Sequence, residues 1–223
     1  MSARDWRTVG AEPSLPRWIR WAIPPPLIPF AAMAWIAARW DRIPLRYASH
    51  FAGGGRPDGW TARTTLHVYG VLIFGAGLAA LLVGLTLAIW VGSRRPAATP
   101  PVAKVLLPVA YVLSLAFTSI GLTPLVQVPP VLLAVTIPLV VLATIVYAAM
   151  AQSKAGALPD TTPSECWSIG GIYRNSKDPA LFVRAQVGYG YTFNMANPWS
   201  FRIMIGFFVG VALLVGFLIW SLR

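Results

Sequence analysis

The sequence predicts an all-α polytopic membrane protein with about five transmembrane helices and a small β-hairpin module between helices four and five. Hydrophobic residues make up 57% of the 223-residue chain and charged residues 11%, which is more apolar and less charged than soluble domains are. Apolar runs of roughly the 20 residues that cross a bilayer recur between polar segments. Short β-prone runs lie just before the last apolar segment.

The formal net charge of +11 would suggest nucleic-acid binding in a soluble protein. In a chain this apolar, basic residues are expected to flank the membrane, where they set orientation and contact anionic lipid. We therefore expect the lipid bilayer as a partner and no direct contact with nucleic acid. The single cysteine, Cys166, permits no intrachain disulfide and no cysteine-based zinc site.

The membrane domain is predicted to contain four helices over residues 22–150, after a cytoplasmic or interfacial segment of residues 1–21. Cations alternate with tryptophans at Arg17-Trp18-Ile19-Arg20-Trp21, a pattern typical of the headgroup level. The first helix is expected at 22–40, the second at 66–90, the third at 102–122 and the fourth at 129–150. A fifth transmembrane helix is predicted within residues 201–223.

Small residues recur at every fourth position of the second helix, a spacing that lets another helix backbone approach closely. The fifth helix repeats this pattern. The predicted helix-packing residues are Ala76, Ala80, Gly84, Gly206 and Gly210. Because alanine and glycine are common in membrane helices, such a stripe also arises without any packing partner.

The first polar connection, an extracytoplasmic loop at residues 41–65, is predicted to be a shaped binding loop. Three consecutive glycines permit unusual backbone angles, and Pro57-Asp58-Gly59 is expected to form a turn. Its aromatic residues and histidine are poor residues for a disordered segment. The predicted ligand-binding residues are His50, Phe51, Gly55, Pro57, Asp58 and Trp60. A structural His50 bonded to the backbone of the loop is the alternative.

Neither a metal site nor a cofactor is predicted. The imidazoles and carboxylates on the outer side do not have the spacing of a metal motif, and zinc needs three or four converging ligands. Enzymatic activity is not expected, because no serine or cysteine lies in a nucleophile motif. A transporter is also disfavoured, because the cores of the predicted spans lack the ionisable residues on which ion coupling depends.

The second polar segment, residues 151–200, is predicted to be a small cytoplasmic β-rich module. β-prone runs at 167–173 and 181–183 are separated by turn residues at 175–179, which predicts a hairpin between the two runs. The alternating glycine and aromatic residues at 188–194 suit a third strand.

The distribution of lysine and arginine predicts a cytoplasmic amino terminus. Twelve of the 18 basic residues then lie on the cytoplasmic side. The six on the outer side are Arg39, Arg42, Arg46, Arg56, Arg63 and Arg223.

Two segments carry a family resemblance. The residues His50-Phe51, Gly55, Pro57-Asp58 and Trp60, between the first two helices, resemble the signature loop of the SdpI-like family of bacterial membrane proteins. A second domain of unknown function, often fused behind the first, is similar at Gly170-Gly171-Ile172-Tyr173, Asn175, Asp178-Pro179, Leu181-Phe182-Val183, Gly190, Thr192 and Asn194. The resemblance implies a bacterial inner (cytoplasmic) membrane protein with several spans.

The SdpI-like family is associated with immunity to a secreted toxic peptide and with signalling to a transcriptional repressor held at the membrane. The resemblance thus implies a non-enzymatic sensing, immunity or signalling role, with a protein partner in or at the membrane. The predicted partner-binding residues of the cytoplasmic module are Gly170, Gly171, Tyr173, Asn175, Asp178, Pro179 and Asn194. The alternative is a structural or accessory subunit of a larger membrane complex. A small transporter or membrane enzyme ranks last.

Overall fold

The computed structural model describes residues 17–52, 55–92, 101–126, 135, 138–144, 146–147, 150, 162–186 and 191–221. Within these ranges the chain is mostly helical and carries three small two-stranded antiparallel sheets. Helix α1 spans Pro24–Ala37, α2 spans Thr65–Gly92, α3 spans Pro101–Gly121 and α5 spans Pro198–Ser221, while residues 138–144 belong to α4. Helices therefore occur in all five predicted regions.

Two helices, α2 and α5, contain segments long and apolar enough to cross a membrane, over Thr65–Val91 and Pro198–Ser221. Helix α1 has 14 residues, and at 1.5 Å per residue it is about 21 Å long, shorter than a bilayer core. Among the described side chains of α3, Val105–Gly121 forms a shorter apolar segment. The coarse expectation of a helical chain with membrane-length helices is thus confirmed, whereas five crossings stay a prediction.

Helix α2 lies at the centre of the helical body and packs against α1, α3 and α5. Glycine permits the closest approaches, since a Cβ added to Gly75 would lie 2.5 Å from the Cβ of Phe117 on α3. Where α2 packs against α5, a Cβ added to Gly210 of α5 would lie 2.6 Å from Cδ1 of Leu81 on α2. At Gly75 a side chain would collide with the fixed Cβ of Phe117, whereas at Gly210 the end of the Leu81 side chain would have to move.

A proline inside α1 is compensated by a side chain of α3. Pro29 has no N–H, so it cannot donate to the carbonyl oxygen of Pro25, four residues earlier. The hydroxyl of Ser114, which is fully buried, donates to that oxygen at 2.5 Å. This hydrogen bond to the Pro25 carbonyl, which Pro29 leaves without its usual helical donor, therefore links α1 to α3.

The segment expected to be an irregular loop is a β-hairpin. Strand β1 (Arg46–Phe51) pairs antiparallel with β2 (Pro57–Ala62), with irregular register around His50. The turn lies at Gly55, which has a φ of 75° and donates its N–H to the carbonyl of Ala52.

The turn predicted at Pro57-Asp58-Gly59 is therefore wrong, because these residues begin β2. Gly55 supplies the left-handed conformation that the turn needs. Proline is tolerated as the first residue of a strand, where the ladder does not need its missing donor.

The hairpin is anchored to the ends of two helices. Tyr47 of β1 lies in one buried cluster with Ile36, Ile43, Val68 and Leu72. The Arg63 guanidinium, just after β2, donates to the carbonyl oxygens of Trp40 and Ile43 at 3.1 and 2.9 Å. The hairpin is thus fixed to the amino-terminal end of α2.

The described part of the second polar segment, residues 162–186 and 191–200, contains four short strands, namely β3 (Trp167–Ser168), β4 (Ile172–Tyr173), β5 (Phe182–Arg184) and β6 (Tyr191–Phe193). Strand β3 pairs with β4, and β5 pairs with β6. The predicted pairing of run 167–173 with run 181–183 is therefore wrong, since Gly170 and Gly171 turn the first run back on itself. The predicted third strand is confirmed as β6.

This β-rich module docks at the other end of α2. Leu181 of the module forms a buried cluster with Ile89 of α2 and Ile203 of α5. Helix α5 runs antiparallel to α2, because Ser221 lies beside Gly70 while Ile203 lies beside Ile89. The hairpin and the module consequently lie at opposite ends of α2.

Candidate functional site

The hairpin carries an exposed hydrogen bond between the side chains of His50 and Asp58. The Nδ1 atom of His50 lies 2.5 Å from Oδ1 of Asp58, and the two side chains are 73% and 46% exposed. His50 stands opposite Gly59 in the ladder, and a Cβ on Gly59 would lie 2.7 Å from that of His50. The histidine therefore contacts a neighbouring carboxylate, whereas the alternative considered from the sequence was a bond to the loop backbone.

The other predicted loop residues lie around this pair. Trp60, on β2, is 57% exposed. A partner that covered its ring would bury a large apolar area. Phe51, at the end of β1, is half-buried and faces Pro57 in the ladder, while Gly55 forms the turn. The hairpin thus presents an imidazole, a carboxylate and an indole on one short, anchored element.

His67 at the start of α2 was not among the predicted site residues. Its Nδ1 atom lies 3.2 Å from both Thr61 Oγ1 and the carbonyl oxygen of Ala62. These contacts attach the end of β2 to α2. Within the described ranges, no group of three or more His, Cys, Asp or Glu side chains could hold a metal ion.

The buried side chain of Tyr47 anchors the hairpin to α1 and α2. Its side chain is 8% exposed within the cluster that joins β1 to α1 and α2. Burial raises the pKa of Tyr47 to about 12, because the ionised phenolate loses its solvation there. The neutral phenol is therefore the form that fits the anchored hairpin.

The β-rich module is held together by a polar network around Asn194, which is fully buried. Its side-chain Nδ2 donates to the carbonyl oxygens of Asn175 and Asp178, both at 2.9 Å. Its Oδ1 accepts from the N–H groups of Asn175 and Ala196 at 3.0 and 3.1 Å. One amide thus satisfies main-chain groups from separate loops.

Tyr173 extends this network and is also fully buried. Its hydroxyl donates to Asp178 Oδ2 at 3.2 Å and accepts from Asn175 Nδ2 at 3.0 Å. Desolvation raises the pKa of Tyr173, and the neighbouring Asp178 carboxylate adds to the increase, while the hydrogen bond from Asn175 acts in the opposite direction. The buried phenol is consequently protonated and available as a donor.

The predicted partner-binding residues thus fall into two groups. Tyr173, Asn175, Asp178 and Asn194 bond to one another or to main chain inside the module. The carbonyl of Pro179 accepts from Asn197 Nδ2, and Gly170 and Gly171 lie exposed at the β3–β4 turn.

Asn197 and Ser200 also belong to the network but were missed. The hydroxyl of Ser200 donates to the carbonyl of Asn194 at 2.6 Å, and Asn197 Oδ1 caps the N–H of Trp199. An asparagine directly before the proline that begins a helix, as at Asn197-Pro198, is a capping signal that the sequence does contain.

Two of the predicted helix-packing residues are packed against other residues, and three are exposed. Ala76 is buried, and Gly210 contacts Leu81. Ala80, Gly84 and Gly206 are exposed. These three line an apolar groove of about 310 Å³ between α2 and α5, together with Ala88, Trp199 and Arg202.

Comparison with known families gives one match. Residues 177–200 match a family of unknown function (DUF5808). The matched segment covers β5, β6 and the first turn of α5, and it includes Asp178 and Asn194 of the network. It coincides with part of the second domain expected from the sequence, whereas the resemblance of the hairpin to the SdpI-like family stays a prediction. No curated protein and no solved structure matches the chain.

Proposed function

We propose that this chain is a non-enzymatic integral membrane protein of the SdpI-like type, with a role in sensing, immunity or signalling. The observation that carries the proposal is the attachment of two β modules to opposite ends of one helix, α2. This arrangement suits a protein that recognises a molecule on one side of a membrane and a partner on the other.

Membrane insertion is supported by the two helices of spanning length and apolarity. In α5, only 6% of an 18-residue apolar window is buried within the protein, compared with 44% in α2. An apolar helix left this exposed in water would be a strong aggregation site, whereas lipid covers it at no cost. The proposed location is the bacterial inner membrane.

The proposed orientation has the amino terminus in the cytoplasm. The charge distribution described above supports it, since the module carries the exposed cations Arg174, Lys177 and Arg184. The hairpin then faces the outer side, where a secreted peptide or an envelope component is encountered. The module faces the cytoplasm, where a protein partner is available.

Recognition is assigned to the hairpin because its exposed groups are chemically diverse and the hairpin is anchored to the helices through Tyr47 and Arg63. The His50–Asp58 pair can bond to polar or charged groups, and Trp60 can bury against an apolar one. Since surface ion pairs contribute about 0–1 kcal/mol, removing His50 or Asp58 should leave the fold intact. A loss of response in such variants would then report recognition.

The test is purification of the tagged full-length chain from native membranes in mild detergent, followed by mass spectrometry of the molecules that remain bound. Wild type is compared with Trp60→Ala, His50→Ala and the control Leu45→Ala, which removes another exposed apolar side chain before β1. We expect a secreted peptide or envelope component to be lost from both hairpin variants and retained by the control. Identical recovery from all four proteins would refute the sensing role.

The alternative function is an accessory subunit of a larger membrane complex. The open groove at Gly84 favours it, because a Cβ there would meet no atom within 4 Å and another helix could approach closely. Under this alternative, Gly84→Leu releases membrane subunits that co-purify in fixed ratio, while Trp60→Ala does not. The same purification therefore separates the two functions.

A further inference from the structure

We propose that the groove between α2 and α5 is a binding site for an anionic phospholipid, with an acyl chain along its floor and the phosphate at the guanidinium of Arg202. The inference rests on the membrane insertion proposed above. It concerns a different surface from the hairpin and the module.

The floor of the groove is suited to a narrow apolar chain. It is formed by Ala80, Gly84 and Ala88 of α2 and by Gly206 of α5, and the groove has a volume of about 310 Å³. Among the described residues, no atom lies within 4 Å of a Cβ added to Gly84 or Gly206, so the groove is open at both glycines. Pockets of this volume with an apolar lining are typical of small-molecule sites.

The polar end of the groove is Arg202, the fifth residue of α5. Its guanidinium carbon lies 5.5 Å from the ring centre of Trp199, which also lines the groove. Arg202 is exposed, and no carboxylate among the described residues forms a salt bridge with it. The guanidinium therefore keeps its capacity to bind a phosphate through two parallel hydrogen bonds.

The positions of the charged and apolar ends of the groove along α5 match the headgroup and the acyl chain of a lipid. Arg202 and Trp199 lie at the end of the spanning segment, the level at which arginine and tryptophan meet headgroups. Gly206 lies one turn further along α5, and Gly84 lies on the neighbouring helix α2. Both glycines are within the apolar segments of their helices. A cation beside an apolar channel complements an anionic amphiphile.

The test is native mass spectrometry of the purified full-length protein titrated with dioleoylphosphatidylglycerol or dioleoylphosphatidylcholine in detergent. Wild type should retain one phosphatidylglycerol in preference to phosphatidylcholine. Arg202→Gln should weaken phosphatidylglycerol binding by about tenfold and remove the preference, because one charge-assisted contact is lost. Gly206→Leu should fill the groove and abolish retention of both lipids.

Matched controls lie nearby. Gly216→Leu makes the same change on α5 at an exposed position outside the groove, where a Cβ also meets no atom within 4 Å. Arg184→Gln removes an exposed cation of the module. Both controls should bind phosphatidylglycerol as wild type does.

Three outcomes would overturn the inference. Equal lipid retention by Gly206→Leu and Gly216→Leu would exclude the groove, and equal losses in Arg202→Gln and Arg184→Gln would indicate non-specific charge attraction. A membrane protein displaced by Gly206→Leu, without any lipid preference, would indicate a helix as the occupant. Alkaline carbonate extraction run in parallel separates the two proposals, since release of wild type without detergent would overturn membrane insertion itself.

Discussion

The side-chain amide of Asn194 makes two hydrogen bonds with the main chain of Asn175. Its Oδ1 accepts from the Asn175 N–H at 3.0 Å, and its Nδ2 donates to the Asn175 carbonyl at 2.9 Å. The two residues are 19 positions apart and come from different strand connections. A single buried amide thus joins the connection between β4 and β5 to the segment between β6 and α5.

Asn194→Ala is expected to destabilise the β-rich module. The substitution leaves the N–H and carbonyl of Asn175, the carbonyl of Asp178 and the N–H of Ala196 without this partner. Unsatisfied buried groups cost about 1–3 kcal/mol each before relaxation, so we expect a loss of roughly 3 kcal/mol. Limited proteolysis of the full-length protein should show faster cleavage within residues 162–197.

Lys177→Ala is the control for this prediction, because it removes an exposed side chain from the same connection. It should be cleaved at the wild-type rate. If Asn194→Ala also resists the protease as wild type does, the network does not hold the module together.

The network shows how far the sequence could predict this site. The turn chemistry of residues 175–179 and the importance of Asn194 were both recognisable in the sequence. The contact between Asn194 and this turn was not recognisable, because a hydrogen bond between residues 19 positions apart leaves no local pattern in the sequence. The same limit explains the wrong pairing of the strands, since two adjacent glycines, Gly170 and Gly171, permit a tight hairpin inside what looked like one strand.

The helices were better predicted than the hairpin at 46–62. Apolar runs of more than 20 residues specify a helix by composition alone, and α2 and α5 follow the runs closely. In the hairpin, Pro57 and Gly59 are residues that strands usually exclude, so the sequence indicated a loop. Anchoring by Tyr47 and Arg63 overrides these local preferences.

Ser114→Ala should weaken the contact between α1 and α3. The hydroxyl of Ser114 is the donor to the Pro25 carbonyl, which Pro29 cannot reach with an N–H. Losing it leaves a buried acceptor unsatisfied, and we expect a loss of about 1–3 kcal/mol in the free energy of unfolding. The thermal unfolding midpoint of the purified protein in detergent measures this.

Ser119→Ala is the matched control on the same helix. Its hydroxyl donates to the Leu115 carbonyl, four residues earlier; Leu115 is exposed and Ser119 is half-buried. That carbonyl belongs to a regular helical turn, so the substitution should shift the midpoint little. Equal shifts for the two variants would mean that the bond between helices does not contribute.

The hairpin should lose stability at alkaline pH through Tyr47. Its pKa is about 12 in the folded protein against 10 for an ordinary tyrosine, so the folded state holds the proton more tightly. The stability contributed by the neutral phenol is fully present below about pH 10 and is lost as the pH rises through about 12. The unfolding midpoint of wild type should therefore fall in this range.

Tyr47→Phe isolates this effect, because phenylalanine keeps the buried ring and cannot ionise. The difference in midpoint between the variant and wild type should grow in favour of the variant between about pH 10 and pH 12. Contributions from other titrating groups cancel in that difference. A difference that stays constant across the range would show that ionisation of Tyr47 is not linked to unfolding.

Cysteine labelling in intact bacteria should place the hairpin and the module on opposite sides of the membrane. Cys166, the single cysteine, lies partly exposed in the module. A membrane-impermeant maleimide should label it only after the cells are broken. Arg56→Cys, made together with Cys166→Ser, puts the thiol at the exposed hairpin turn and should be labelled in intact cells.

The four possible results separate the claims about topology. Labelling of the hairpin alone in intact cells supports the orientation that the distribution of basic residues predicts. Labelling of the module alone would reverse that orientation but keep the two modules on opposite sides. If both sites are labelled in intact cells, or neither is, the ends of α2 do not lie on opposite sides of a membrane, and the sensing role loses the arrangement on which it depends.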